Sequence, residues 1–144
     1  MDVRSTNPYD LDLSRRKLVA LASVLAMDPA VLVLDEPTTG QDGPGVRLVG
    51  AVVDAFRAAG RTVIAITHDM EFAAAHFQRT IVMLEGQVIL DGPPPEVFAG
   101  DRRAVLAAAG IAPPPAARIG LALGLATPTE AALVAALATR GAGS

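Results

Sequence analysis

Apolar positions along the chain alternate between two periodicities. Continuous apolar runs of strand length occupy residues 31–34 and 62–67, the pattern of parallel strands covered on both faces. Helical spacing precedes, separates and follows these runs, at residues 15–27, 44–59 and 70–77. This alternation predicts an α/β fold in which helices flank a parallel sheet.

Local signals mark where these elements begin and end. Ser14 is the predicted N-cap of the first helix, and Gly60 is placed to end the second. Farther along, residues 81–84 and 87–90 flank a Glu85-Gly86 pair, which predicts a hairpin with a short turn.

After the three prolines at residues 93–95, the sequence pattern changes to that of small helices. Asp101 is the predicted cap of a small helix that ends at Gly110. The sequence TPTE at residues 127–130 predicts a capping box that opens a last helix. We therefore predict two parts, a core over residues 1–100 and an Ala/Pro-rich helical extension over residues 101–144.

Composition narrows the class of protein. The chain is 51% hydrophobic but only 3% aromatic, so its core is built from Ala, Val, Leu and Ile. A net charge of −3 argues against a nucleic-acid surface, and the absence of cysteine excludes disulfides and thiolate metal sites. The first ten residues are polar, unlike a secretory signal, and no apolar run reaches membrane-spanning length. The mean hydropathy of +0.42 indicates that some apolar surface faces a partner.

Polar side chains follow both apolar runs. The first run leads into Asp35 and Glu36, and the second leads into Thr67, His68 and Asp69. Ligands of open parallel sheets bind beyond the carboxyl ends of the strands. If the two strands are neighbours, we expect these acids and the histidine to converge on one rim, with chemistry suited to a divalent metal and phosphates.

These residues resemble a known family. VLVLDEPTTGQD at residues 31–42 resembles the magnesium-site strand and the following D-loop of ATP-binding cassette (ABC) ATPases. ITHD at residues 66–69 resembles their switch histidine, and LSRRK at residues 13–17 lies where the family carries LSGGQ. The resemblance covers residues 8–98 and implies part of a P-loop NTPase-like sheet that binds ATP with Mg²⁺.

The resemblance also implies roles for individual residues. Asp35 would hold Mg²⁺, and Glu36 would polarise the attacking water. His68 would contact the γ-phosphate and the charge that develops on it. Asp42 would lie at the seam of a dimer, and Ser14 would contact the γ-phosphate bound on the opposite subunit. Catalysis of phosphoryl transfer depends mainly on positioning and charge compensation, which these residue types supply.

The LSRRK segment departs from the family motif. Arg15 and Arg16 replace two glycines, and with Lys17 they place three cations in the first turn of a helix, where each costs about 0.3–1 kcal/mol when exposed. A polyphosphate bound there would make the cations favourable, so Arg15 and Arg16 are candidate nucleotide ligands. The alternative is that Asp10 and Asp12 neutralise them.

A phosphate-binding loop of the form G-x-x-x-x-G-K-[ST] is absent from the sequence, whose single lysine is Lys17. We therefore expect the carboxyl-terminal part of an ABC ATPase domain, either truncated or complemented by another half. By itself the chain is not expected to hydrolyse ATP. Without the strand that normally lies beside residues 31–34, an apolar sheet edge would be exposed, which predicts poor solubility.

A finer resemblance is to the ATPases of energy-coupling-factor importers, based on residues 8–42, on LDGPPPEVF at residues 90–98 and on the helical tail. It implies uptake of vitamins or transition-metal ions such as cobalt. The partners would be a second ABC ATPase domain, identical, related or fused, and a transmembrane coupling subunit. The chain would then lie in the cytoplasm, peripherally on the inner face of the membrane.

Other functions stay open at this point. A non-transport ABC ATPase that works on DNA or ribosomes would be expected to carry a coiled-coil insertion or a basic surface, and neither is found. A catalytically dead remnant that only binds a partner is a further alternative. A helicase-type Asp-Glu strand is disfavoured by the LSRRK helix before it and the D-loop-like turn after it.

Overall fold

The chain was analysed as a computed structural model that describes residues 6–141. It divides into two compact units, one ending at Thr67 and the other beginning at His68. No helix among residues 6–141 is long and apolar enough to cross a membrane. The predicted division of the chain between residues 100 and 101 stays a prediction.

The first unit contains the predicted alternation of helix and strand. A single 3₁₀ turn at Pro8–Asp10 precedes its four elements, which are α1 (Leu13–Leu25), β1 (Val31–Asp35), α2 (Gly43–Ala58) and β2 (Thr62–Ile66). Strands β1 and β2 pair in parallel, with Val31 opposite Thr62 and Asp35 opposite Ile66. The expectation that the two apolar strands are neighbours is thereby confirmed.

The start of α1 differs from the prediction, because Ser14 is not its N-cap. Asp12 caps the helix, and its Oδ1 atom accepts a hydrogen bond of 2.8 Å from the backbone N–H of Arg15. A carboxylate at this position satisfies a free backbone donor and also carries a negative charge to the positive end of the helix. Ser14 therefore lies inside the first turn.

Only one face of the β1–β2 sheet is buried, so the prediction of strands covered on both faces is wrong for the described chain. Leu32 is 1% exposed, whereas Val33, the next residue along the strand, is 62% exposed. Helix α2 packs on β2 and buries Val49 and Val53. We call the opposite side the open face; its members are all exposed, namely Val31, Val33, Asp35, Thr62, Ile64 and Ile66.

The second unit comprises a hairpin and several short helices. Its elements are α3 (Met70–His76), β3 (Thr80–Leu84), β4 (Gln87–Gly92), α4 (Pro94–Val97), a 3₁₀ turn (Gly100–Arg102), α5 (Arg103–Ala108), α6 (Pro115–Ala122) and α7 (Glu130–Gly141). One apolar core joins the hairpin to the helices, and it consists of Ala74, Val82, Val97, Phe98, Leu106 and Ala117.

The hairpin confirms the sequence prediction. Glu85 and Gly86 both have positive φ angles, 50° and 78°, as a two-residue type I′ turn requires. Across the strands, Arg79 donates two hydrogen bonds to the carboxylate of Asp91, with donor–acceptor distances of 2.6 and 2.7 Å. These hydrogen bonds and the positive charge hold the pKa of Asp91 below its ordinary value.

Two caps predicted in the extension are wrong. Asp101 makes no capping hydrogen bond; it lies in a 3₁₀ turn, with its carboxylate 3.6 Å from the guanidinium of Arg102. The last helix is capped by Thr129, whose Oγ1 atom accepts from Ala132 N–H at 3.2 Å. Thr127 is instead buried, and its hydroxyl donates to the carbonyl of Ala116.

Neighbouring residues of β1 provide a direct test of the one-sided burial. Leu32→Ala should lower the free energy of unfolding by about 2–5 kcal/mol, because it leaves a cavity under the sheet. Val33→Ala should change it by less than about 0.5 kcal/mol, since this side chain faces solvent. Urea unfolding followed by circular dichroism measures both. A cost for Val33→Ala equal to that for Leu32→Ala would mean that the open face is covered.

Candidate functional site

The end of β1 carries the two candidate acids in different settings. Asp35 is the last residue of the strand and lies on the open face. Glu36 follows it in the left-handed region, with φ at 46°, and its N–H still donates to the carbonyl of Ile66 at 2.8 Å. A non-glycine residue held in this region is strained and often marks a functional site. The backbone thus turns sharply at the predicted catalytic carboxylate.

The turn after Glu36 orients its side chain. The hydroxyl of Thr39 lies 3.3 Å from Glu36 Oε2, and the N–H of Thr39 donates to the carbonyl of Glu36. The N–H of Gln41 donates to the carbonyl of Thr38 at 3.0 Å, and Thr38 is buried. The DEPTTGQD segment is therefore a hydrogen-bonded turn that fixes the carboxylate relative to β1.

Helix α1 is bound to this turn through Ser14 and Lys17. Ser14 Oγ donates to Gln41 Oε1 at 2.6 Å. Lys17 Nζ lies 2.8 Å from the carbonyl oxygen of Thr39 and 3.4 Å from that of Glu36. The helix that carries LSRRK therefore lies directly against the acidic turn, a contact that the sequence analysis did not predict.

Gly40 is required where α1 meets the turn. Its φ of 75° lies in the left-handed region. A Cβ atom at this position would lie 2.8 Å from Cδ2 of Leu13, which is too close. The backbone angle therefore favours glycine at this position, and a Cβ there would also force the exposed side chain of Leu13 to move.

The two arginines of LSRRK have partners within the first unit. Arg15 Nε lies 3.5 Å from Asp12 Oδ2, so the predicted neutralisation by Asp12 is present. Arg16 donates to the carbonyl oxygens of Tyr9 and Leu11, each at 3.0 Å. Both arginines are exposed, and their role as nucleotide ligands stays a prediction.

Asp42 and His68 lie at the ends of other elements. Asp42 is the N-cap of α2, and its Oδ1 accepts from Gly45 N–H at 2.8 Å. His68 is exposed and is the first residue of the second unit, two residues after β2 ends. The role of Asp42 at a dimer seam and the contact of His68 with the γ-phosphate both stay predictions.

The carboxylates at the end of β1 are of the kind that Mg²⁺ requires. Within residues 6–141 no group of three or more His, Cys, Asp or Glu side chains could hold a metal ion. Asp35 and the adjacent Glu36 suit Mg²⁺, because this ion is usually held by one or two carboxylates together with water and substrate phosphates. The residues thus fit the metal end of a nucleotide site, whereas the printed sequence has no phosphate-binding loop.

Comparison with known proteins identifies relatives of this arrangement. No family model matches the chain. A putative ABC transporter ATP-binding protein of Methanosarcina acetivorans is 45% identical over 120 residues, 83% of this chain and 19% of the relative. The energy-coupling factor transporter ATP-binding protein EcfA2 of Symbiobacterium thermophilum is 42% identical over 114 residues, 79% of this chain and 39% of that protein.

A solved structure agrees with these relatives. The structure of cbiO1 from Clostridium perfringens, part of the ABC transporter complex cbiONQ, matches with a TM-score of 0.57 and 40% identity, over 71% of this chain and 42% of that one. The predicted α/β fold class is confirmed by this match. The chain spans between 19% and 42% of the length of these three relatives. The chain is therefore a homologue, over part of their length, of the ATP-binding proteins of ABC transporters, the energy-coupling factor ATPases among them.

Proposed function

We propose that residues 8–98 form the part of an ABC ATPase domain that runs from the LSRRK helix, α1, to the hairpin of β3 and β4, and that they work in ATP hydrolysis. The observation that carries this proposal is the end of β1. Asp35 closes a strand paired in parallel with β2, and Glu36 turns out of it with a carboxylate oriented by Thr39. Open α/β sheets bind ligands at such an edge.

Each residue has a proposed role in hydrolysis. Asp35 holds Mg²⁺, which when bound neutralises charge on the phosphates. Glu36 accepts a hydrogen bond from the attacking water and so directs its oxygen at the γ-phosphorus. His68 donates a hydrogen bond to a γ-phosphate oxygen, where negative charge must be stabilised as the bond to ADP breaks. The parallel pairing of β1 with β2 supports the placement of Asp35 and Glu36 at the carboxyl edge of this sheet.

The LSRRK helix is proposed to act on a nucleotide held by a second ATPase domain. Ser14, Arg15 and Arg16 lie in the first turn of α1, where backbone N–H groups and cations favour a polyphosphate. The contact between Ser14 and Gln41 supports a further proposal, that the D-loop turn responds when Ser14 binds phosphate. Asp42, at the end of that turn, would then transmit the binding of phosphate to the other domain across the dimer interface.

The phosphate-binding loop is proposed to come from polypeptide outside the printed sequence. The open face of the β1–β2 sheet, with Val33, Ile64 and Ile66 more than half exposed, supports a missing structural layer. Exposed apolar surface of this kind is typical of a binding surface. The catalytic unit would therefore be a composite of this chain and a segment that carries G-x-x-x-x-G-K-[ST].

The EcfA2 and cbiO1 relatives support a role in an energy-coupling factor transporter. Vitamins or transition-metal ions are the proposed solutes, as the resemblance of the sequence implies. The proposed partners are a second ABC ATPase domain and a transmembrane coupling subunit, with the chain peripheral on the cytoplasmic face of the membrane. The net charge of −3 supports a function without nucleic acid. A catalytically dead remnant is the competing hypothesis, and the following experiment distinguishes it from an active ATPase.

Mixing the chain with a separately expressed amino-terminal half that carries a phosphate loop should restore ATP hydrolysis. We expect no turnover by the chain alone, Mg²⁺-dependent turnover by the mixture, and loss of turnover in the mixture with Glu36→Gln. Phosphate release measures all three, and nucleotide binding to the Glu36→Gln mixture should persist because the substitution removes charge rather than the phosphate contacts.

Two results would contradict the proposal. Turnover by the chain alone would mean that its phosphate site lies elsewhere in these residues. A silent mixture whose two parts are folded and associated would support the catalytically dead remnant instead.

Lys17 should act as a positioning residue for Glu36 in that mixture. Lys17→Met removes both contacts of the Nζ atom with the carbonyl oxygens of the turn. We therefore expect kcat to fall roughly tenfold, the equivalent of one charged hydrogen bond, with little change in KM. Lys17→Arg should recover part of the rate. Arg47→Met, on the exposed surface of α2, is the matched control. A fall in thermal stability with unchanged kcat would reduce the role of Lys17 to folding alone.

A further inference from the structure

The second unit contains a cavity that the ATPase proposal does not use. Its volume is about 830 Å³, within the range of roughly 300–1,000 Å³ typical of small-molecule sites. Its lining residues all fall between positions 98 and 122, and the larger apolar side chains among them are Phe98, Ile111, Ile119 and Leu121. The cavity opens to solvent along α6, where Ile119 and Leu121 are about half exposed.

The cavity wall is held by the core beneath it. Leu106 is fully buried, and its carbonyl accepts a hydrogen bond of 2.9 Å from the N–H of Ile111, which fixes the turn after α5. Gly100 packs so closely that a Cβ there would lie 3.0 Å from Cδ2 of Leu121. The burial of Leu106 and this hydrogen bond anchor the cavity wall to the core of the second unit.

Two arginines lie on this apolar cavity, Arg103 at the start of α5 and Arg118 in the first turn of α6. Neither guanidinium group makes a hydrogen bond or an ion pair with another residue in the range 6–141. The other arginines of the second unit all have partners, because Arg79 binds Asp91, Arg102 lies beside Asp101, and Arg140 donates to the carbonyl of Leu123.

The lining combines cations with apolar walls and lacks opposing charge. No Asp or Glu is among the cavity residues, all of which fall within 98–122. A cation in the first turn of a helix, such as Arg118, is disfavoured by the helix dipole unless an anion lies nearby. Guanidinium groups match the geometry of carboxylates and phosphates. A ligand that matches both the apolar walls and the arginines therefore has an anionic head group and an apolar body.

We propose that this cavity binds a small amphiphilic anion, with its carboxylate or phosphate head at Arg103 and Arg118 and its aliphatic body against Phe98, Ile111, Ile119 and Leu121. The site is independent of the proposed ATPase chemistry. Aliphatic walls suit an alkyl chain better than a nucleobase, because the lining offers one aromatic ring, Phe98, which is itself buried.

Three probes with the same ten-carbon chain test the site: decanoate, decyl phosphate and decanol. Binding to the full 144-residue chain is measured by saturation-transfer NMR and calorimetry below the micellar concentration of each probe. We expect at least one anion to bind saturably, with decanol about tenfold weaker or more, since decanol lacks the charge that the arginines recognise. Preference for decanoate or for decyl phosphate identifies the head group.

Substitutions locate the binding. Arg103→Gln and Arg118→Gln should each weaken the preferred anion by about five- to tenfold, and Ile119→Ser should weaken all three probes. Arg102→Gln is the matched control, because Arg102 lies next to Arg103 in sequence but does not line the cavity and is paired with Asp101. Binding of the anion to this control should remain within about twofold of the unsubstituted chain.

Several results would overturn the proposal. Equal affinity for decanol and the anions would leave the arginines without a role. An equal loss with Arg102→Gln would indicate general charge attraction. Absence of binding by the folded chain would show that the cavity is not a binding site. If no probe binds and sedimentation velocity shows a dimer that Ile119→Ser dissociates, this surface is a contact between copies of the chain.

Discussion

The pairing of β1 with β2 is the constraint on which the candidate site depends. It extends one residue past β1, through the hydrogen bond from Glu36 N–H to Ile66, and there the chain enters the left-handed region. Asp35 therefore stays on the open face while Glu36 is turned toward Thr39 and Lys17. If that pairing slipped by one residue, both acids would change faces and the turn would lose its contact with α1.

The elements with a strong local signal were predictable from sequence. The two apolar runs and the Glu85-Gly86 turn are found where expected, because strand length, burial and a two-residue turn each restrict the backbone locally. The caps were less predictable. Asp12 and Ser14, and likewise Thr127 and Thr129, are alternative caps two residues apart, and the start of a helix is decided by packing that propensity does not contain.

In the candidate site too, contacts between distant residues could not be predicted from the sequence. The sequence singled out Asp35 and Glu36 as candidate acids. It did not indicate that Lys17 and Ser14 contact the turn after them, because these contacts join residues far apart in the chain. The cations of LSRRK looked unfavourable in sequence. In the structure Lys17 binds carbonyl oxygens, Arg16 does likewise, and Asp12 lies beside Arg15. These contacts therefore partly offset the unfavourable placement of three cations at the start of α1.

The central claim is that the end of β1 is one half of a composite ATP site and that the half carrying the phosphate loop covers the open face. Because the chain has no cysteine, Val33→Cys introduces a single thiol at the centre of that face. The most direct measurement is its alkylation rate with and without the half that carries the phosphate loop. The account predicts rapid alkylation alone and severalfold slower alkylation in the mixture, with a thiol at exposed Leu48 unaffected. An unchanged rate at residue 33 in a mixture that hydrolyses ATP would contradict it.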